Sequence, residues 1–222
     1  MTNRKIDDDA CVGVMVPTFN RPDFARACLL QLLAQTRVPD LVCFHQNGNR
    51  ESYRWCIEDL AAEGVIWLHS PERLPQQEWY RRPLRRLLSE GCTRFFWADH
   101  DDIYRRHHIR KCLDDLKQGH DFTVARRCGL LLQWTDEYSY HADIPFTSHM
   151  PGGMSSSMCF NRGFATALER DLYEHPEIHY ADNVVARITM PKFRCHVSNE
   201  PSTIYVAHEG TNSSRHWLQG RR

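Results

Sequence analysis

The first seventy residues alternate between two hydrophobic patterns, and that alternation restricts the fold more than any other feature of the chain. "CVGVMVP" (11–17) is a short apolar run that ends at a proline and reads as a buried strand. "DFARACLLQLLAQT" (23–36) repeats Phe24, Cys28, Leu29, Leu32 and Leu33 at helical spacing, with Asp23 as candidate cap. "DLVCFHQNG" (40–48) is a second strand closed by the turn signal "NGN". "ESYRWCIEDLAAEG" (51–64) reads as a helix ending at Gly64, and "VIWLHS" (65–70) as a third strand. A β-α-β-α-β order at this spacing predicts a parallel sheet flanked by helices.

The alternation continues. "EWYRRPLRRLLSEG" (78–91) reads as a helix broken or opened near Pro83, "CTRFFWAD" (92–99) as the fourth strand, and "DIYRRHHIRKCLDDLKQG" (102–119) as a helix. "DFTVARRCGLLLQW" (121–134) reads as one or two strands around a turn. Residues 135–158 are polar and turn-rich, as in lids and binding loops. Residues 161–175 and 179–190 read as helices, and "FRCHVSN" (193–199) and "TIYVAH" (203–208) as short strands. No repeat, low-complexity tract or linker divides the 222 residues, so one domain is expected.

Composition removes several classes. A net charge of +0 and a pI near 7.2 argue against a protein built to coat nucleic acid. The nine cysteines are odd in number and scattered, with no CxxC, which predicts reduced thiols and a cytoplasmic setting. No apolar run approaches the roughly 18 residues of a membrane span, and no signal-peptide core precedes the first strand. The expected setting is therefore the soluble phase or a membrane surface.

"FFWADHDDIYRRHHI" (95–109) places Asp99, His100, Asp101 and Asp102 directly after an apolar strand. In open α/β sheets, ligands bind at the carboxyl ends of the strands. Side chains alternate along an extended segment, so Asp99 and Asp101 can face the same way. Two carboxylates on one side suit Mg²⁺ or Mn²⁺, which prefer hard oxygen ligands. Asp102, just before "IYRRHHIRK", can instead cap that helix. Spacing alone leaves both readings open.

With these segments in view, the chain resembles the GT-A glycosyltransferases, family 2 in particular. The resemblance is carried by "VMVPTFNRPDFARACLLQLLAQT", by "FFWADHDDIY" as an Asp-x-Asp-Asp motif, by "YADNVVARI" and by "IYVAHEGTNSS", in family order. It implies a GT-A fold, an α/β domain with a mostly parallel central sheet flanked by helices. It implies metal-dependent, inverting transfer of a sugar from a UDP, GDP or dTDP donor to a hydroxyl of a carbohydrate or lipid-linked acceptor. Residues 1–119 would form the nucleotide-binding half and 120–222 the acceptor-binding half. Pro17, Thr18, Arg21, Asn47, Arg81, Asp99, His100 and Gly153 would serve the nucleotide sugar. Asp101, Asp99 and His208 would hold Mn²⁺ or Mg²⁺, with Asp102 either sharing the metal or capping the helix. Asp182 would be the general base.

The chain departs from the family pattern at three places. His45, Gln46 and Asn47 stand where an acidic residue is expected, Ala181 replaces the usual Glu before Asp182, and "WYRRPLRR" only loosely matches the Ala-Arg-Asn segment. Two other readings follow from these departures: a nucleotidyltransferase on a related scaffold, and a non-catalytic nucleotide-sugar-binding module. Arg81, Arg82, Arg85 and Arg86 would form a basic stripe for a diphosphate or an anionic head group, or a solvated face. His108 with Cys112, and His175 with His179, have the i, i+4 spacing of zinc ligands but no third ligand at standard spacing. No GxGxxG, Walker A or GxSxG motif occurs.

Overall fold

The computed structural model describes residues 10–60, 63–132, 138–141 and 155–207. Strands β1 (Val12–Thr18), β2 (Leu41–Asn47) and β3 (Val65–Ser70) are parallel neighbours, and β4 (Arg94–Trp97) runs parallel to β1 on its other side. The rest of the sheet comes from β5 (Ile103–Tyr104), β6 (Phe122–Leu132), β7 (Tyr138–His141), β8 (Met158–Asn161) and β9 (Cys195–Ala207). Among the described residues the order is β3-β2-β1-β4-β8-β6-β9-β5, with β7 paired to β6. β8 is antiparallel to both β4 and β6, and β9 is parallel to β6. One mostly parallel sheet thus runs through both halves of the chain.

Helices cover both faces. Helices α1 (Pro22–Leu33) and α3 (His108–Lys117) pack on one side with Val12, Val14, Val16 and Phe96. Helices α2 (Gln76–Ser89) and α4 (Arg162–Glu174) pack on the other with Met15, Phe95, Trp97 and Phe160. Odd and even residues of β1 and β4 enter opposite cores, which explains why these strands read as continuous apolar runs. At Gly13 an added Cβ would lie 2.8 Å from the Cys92 sulfur, so α2 and the turn after it approach β1 only because that side chain is missing. The eight described cysteines are free thiols, most of them buried.

Helix α2 does not break at Pro83; it runs through it. A proline inside a helix leaves the carbonyl four residues earlier, here that of Trp79, without its amide donor. The His45 ring on β2 supplies the replacement: Nδ1–H donates to the Trp79 carbonyl at 2.7 Å. The Trp79 indole N–H returns a bond to the His45 carbonyl at 2.8 Å. That tautomer leaves Nε2 to accept from the Ser70 hydroxyl at 3.0 Å. Burial lowers the pKa of His45, in keeping with a neutral ring.

Other elements differ from the sequence reading for equally local reasons. The expected helix over 51–64 is a 3-10 turn, Arg54–Ile57. The Gln46 side chain holds the preceding backbone out of helical geometry, donating to the Glu51 carbonyl at 2.7 Å and accepting from the Tyr53 N–H at 3.0 Å. Helix α3 starts at His108, not Asp102, because residues 103–104 are drawn off as β5 against β9. The Gln31 side chain on α1 accepts from the Tyr104 N–H at 2.8 Å and fixes that diversion. The two short strands expected near the C-terminus are one strand, β9, with register shifts against β6. The helix expected over 179–190 is a short helix α5 (Ala181–Val184), a π-turn (Val185–Thr189) and a 3-10 turn. Asp23 does not cap α1; it sits in the first turn after Pro22, where a negative charge favours the helix dipole. Asn161 does cap α4, accepting from the Phe164 N–H at 2.9 Å.

His108 is fully buried, its Nδ1 lies 2.7 Å from the Ser202 hydroxyl, and burial with the neighbouring His107 lowers its pKa to about 3. A histidine with a depressed folded pKa is neutral in the native state and protonates on unfolding. Its stability contribution is intact above its unfolded pKa near 6.5 and is lost as pH falls from there toward 3. We expect stability to drop by up to about 1.4 kcal/mol per pH unit below pH 6.5 on this account. His108→Gln, which retains a hydrogen-bonding side chain for Ser202, should flatten the profile. Denaturant titrations from pH 7 to 4.5 check this; parallel profiles would count against it.

Candidate active site

β1 and β4 end side by side, and the two loops that leave them are bonded together. Thr18 is fully buried, its hydroxyl 2.8 Å from that of Tyr53. Asn20 takes a left-handed backbone (φ 50°), a conformation asparagine tolerates, and its N–H donates to the Asn49 side chain at 3.1 Å. The chain then turns toward the second loop, where Arg21 Nη1 donates to Asp101 Oδ2 at 3.0 Å.

The second loop begins after Trp97, so the strand alternation expected to align Asp99 with Asp101 does not extend to them. Residues 99–102 instead form a turn closed by the Asp102 N–H to the Asp99 carbonyl at 3.3 Å. His100 points inward, its Nδ1–H donating to the Pro17 carbonyl at 3.0 Å, which ties this loop to the end of β1. The Tyr104 hydroxyl donates to the Asp99 carbonyl at 2.9 Å. Asp99 and Asp101 stay half-buried at the surface of the turn.

Asp102 is not a helix cap, since α3 begins six residues later. It is 1% exposed, and its Oδ1 accepts from the Val206 N–H of β9 at 2.9 Å. Burial first, then the charges of Asp99 and Asp101, raise its pKa to about 8. Its role in the fold is to pin the end of β9, two residues before His208. His208 and Gly153 lie outside the described residues, as does most of the loop 136–157.

The carboxylates of two distant segments act on one buried phenol. Tyr80 on α2 is buried against Trp97, the ring centroids 4.0 Å apart. Burial raises its pKa well above the ordinary value, and Asp99, Asp182 and Asp101 raise it further. Asp182, half-buried at the start of α5, therefore shares a neighbourhood with Asp99 and Asp101 across about eighty residues of chain. Its Oδ1 accepts from the Asn183 N–H at 2.9 Å. Ala181, where the sequence lacks the usual Glu, is fully buried.

Other expected residues are engaged elsewhere. Asn47 forms a two-way amide bond with Leu74, at 2.8 and 3.2 Å, and so fastens β2 to the start of α2. The Arg81 guanidinium is held by Glu78 at 2.6 Å and Glu169 at 2.8 Å and stacks over Tyr173 between α2 and α4. Arg81 makes this bridge in the structure, and Tyr80, one residue earlier, is the residue on which the carboxylates act. The arginine stripe is largely neutralised in the same way, with Arg82 on Glu78 and Arg86 on Glu90. The His108–Cys112 pair faces the core and Ser202, with the sulfur 3.9 Å from Nδ1, and His175 meets Glu177. Tyr80 and Gln76 are the functional candidates that sequence reasoning missed, because a tyrosine or glutamine on an amphipathic helix carries no motif.

Among the described residues no group of three or more His, Cys, Asp or Glu is arranged to hold a metal ion. The donor chemistry nonetheless fits a hard cation. Asp99 and Asp101 offer carboxylate oxygens, and the negative charge around them weighs on Tyr80, Tyr104, Cys28 and Asp102 together.

The family model for glycosyl transferase family 2 matches residues 13–175. The chain belongs to that family. It is a glycosyltransferase domain by family, and its fold is GT-A. Similar solved structures include TarS 1–349 of S. aureus in complex with UDP-GlcNAc, at 14% identity and TM-score 0.65, covering 91% of this chain and 60% of that one. The mannosyltransferase PcManGT of Pyrobaculum calidifontis, in complex with GDP-Man and Mn²⁺, gives 13% identity and TM-score 0.64, covering 93% and 59%. The chain thus spans about three-fifths of the length of these structures. Comparison with curated proteins gives no match. Among the described residues no helix is long and apolar enough to cross a membrane.

The two neighbouring aspartates should separate in stability assays. Asp102→Ala leaves a buried Val206 N–H unpaired and should cost about 1–3 kcal/mol. Asp101→Ala, at the half-exposed ion pair with Arg21, should cost under about 1 kcal/mol. Thermal melts of both variants test this; equal losses would refute it.

Proposed function

We propose that this domain transfers a sugar from a nucleoside-diphosphate sugar to a hydroxyl of a carbohydrate or lipid-linked acceptor, with inversion at the anomeric carbon. The observation that carries the reading is that Asp99 and Asp101, after β4, and Asp182, at the start of α5, all bear on the ionisation of one buried phenol, Tyr80. Such a transfer needs a carboxylate near the acceptor oxygen and a separate positive environment at the leaving diphosphate. Asp182 takes the acceptor proton. Arg21 lies beside the carboxylate turn and compensates charge on the diphosphate. Asp101, Asp99 and His208 would hold Mn²⁺ or Mg²⁺. When bound, the cation supplies charge neutralisation for the departing diphosphate. Pro17, Thr18, Asn47 and His100 shape the floor of the donor site through bonds already made inside the protein. Gly153 borders the transferred sugar. The nucleotide lies on residues 1–119 and the acceptor on 120–222, in the cytoplasm or at a membrane surface. TarS with UDP-GlcNAc and PcManGT with GDP-Man support a nucleotide-sugar donor.

A non-catalytic binding module is the second reading, and the engagement of His45, Gln46 and Asn47 in internal bonds favours it. Thermal unfolding against UDP, GDP, CDP and dTDP, with and without Mn²⁺, comes first, because a ligand of the native state raises the melting temperature. We expect one nucleotide to shift it only with Mn²⁺, and the matching sugar nucleotide to release nucleoside diphosphate. Pyrophosphate release would identify a nucleotidyltransferase, and stabilisation without any product a binding module. Asp101→Ala should abolish metal-dependent transfer while staying folded. Asp182→Asn should keep donor affinity and lose about a hundredfold or more in turnover. Near wild-type turnover in that variant would remove Asp182 as base.

A further inference from the structure

Helix α5, which carries Asp182, is four residues long, too short to hold itself. The first amides of a helix lack intrahelical partners, and Tyr180 at its N-cap provides no side-chain bond. Two of them are met locally: the Asn183 and Val184 N–H groups bond the Tyr180 carbonyl at 3.1 and 3.3 Å. The Ala181 N–H belongs to a fully buried residue and is met from elsewhere. The Gln76 side-chain carbonyl on α2 accepts from it at 3.1 Å, across 105 positions of sequence.

The far end of the segment has its own anchor. After the π-turn, the Thr189 hydroxyl donates to buried Asp171 at 2.9 Å, and Lys192 Nζ meets both Asp171 oxygens at 3.0 and 2.9 Å. Residues 181–192 are thus held at two points, and Gln76 is the one beside Asp182. One turn along α2, Tyr80 rests on Trp97, two residues before Asp99. The same helix that is seated on the end of β4, just before Asp99, therefore holds the first amide of the Asp182 helix.

We propose that Gln76 is the positioning residue of Asp182, fixing the start of α5 so that the carboxylate is presented toward Asp99 and Asp101. This rests on the glycosyl-transfer reading above. Gln76→Met keeps the length of the side chain and removes the acceptor; Gln76→Glu keeps an acceptor at the same reach. With UDP-GlcNAc and GDP-Man plus Mn²⁺ as probes, Gln76→Met should lower kcat between about tenfold and a hundredfold, the range a small misplacement of a catalytic group produces. The donor KM should stay within about twofold, because ground-state binding is untouched. The melting temperature should move by no more than about 2–4 °C, the scale of a lost cap in a chain of this length. Gln76→Glu should restore most of kcat. Hydrogen exchange at the Ala181 amide should quicken in Gln76→Met and stay slow in Gln76→Glu. Unchanged kcat in Gln76→Met, unchanged exchange, or a loss that Gln76→Glu does not rescue would each overturn the proposal. If the wild-type protein releases nucleoside diphosphate from neither probe, the glycosyl-transfer reading is what fails for those donors. The exchange result then decides the Gln76 anchor by itself.

Discussion

The bond from the His45 ring to the Trp79 carbonyl is the constraint on which the site depends. Proline inside a helix costs about 3 kcal/mol or more when the freed carbonyl and the ring clash are left uncompensated. Here β2 meets the freed carbonyl with an imidazole N–H, and the Trp79 indole reciprocates. The pair needs a proton on Nδ1, and burial favours the neutral form of the ring. It fastens α2 to the sheet in the helix's first turn. From that fixed helix Tyr80 reaches the end of β4 and Gln76 reaches the start of α5. The distance between the two sets of carboxylates is thus set by an element that contains none of them.

The carboxylate turn follows a similar logic, with electrostatics added. Asp99, Asp101 and Asp102 within four residues repel one another, and burial makes that repulsion stronger. The fold divides the burden. Asp102 goes inside and meets a backbone amide of β9; Asp101 meets Arg21; Asp99 stays half-solvated and lends its carbonyl to Tyr104. Burial raises the pKa of Asp102 and of the neighbouring phenols, the clustered charge raises it further, and that charge is also what would draw a divalent cation to the turn on the proposed reading.

How much of this was legible in the sequence depended on whether a feature was local. The parallel β1–β4 core followed from hydrophobic period and spacing, because strands buried on both faces must be continuously apolar. The helix over 51–64 failed because Gln46, a residue outside it, captures its first turn. The cap alternative for Asp102 fails because a two-residue strand, held by Gln31 and β9, intervenes before α3. Period-based reading sees neither, since each depends on one side-chain amide bonding backbone outside its own element. The Asp99, Asp101 and Asp182 candidates could be named from their order along the chain. The groups that set their geometry, Tyr80 and Gln76, could not, because their partners become neighbours only in the folded sheet.

The end of β2 shows why a missing acid and an altered site are different statements. His45, Gln46 and Asn47 occupy the place where a negative charge was expected, and each has a different internal task. His45 repairs the proline helix, Gln46 shapes the turn to Tyr53, and Asn47 ties Leu74 to the strand. Converting any one to a carboxylate would remove a donor that the fold uses and bury a charge beside a backbone carbonyl. The acid is therefore absent for reasons of stability as much as recognition. On the proposed reading, the nucleotide must be recognised by groups that lie outward of these three. Phe19, 40% exposed and stacked under Arg73 at 5.8 Å, sits over Gly48 at this corner and offers an apolar face with an adjacent positive charge. A base held by stacking and an arginine requires no carboxylate, so the loss of the acid restricts how the nucleotide is read without closing the site to it.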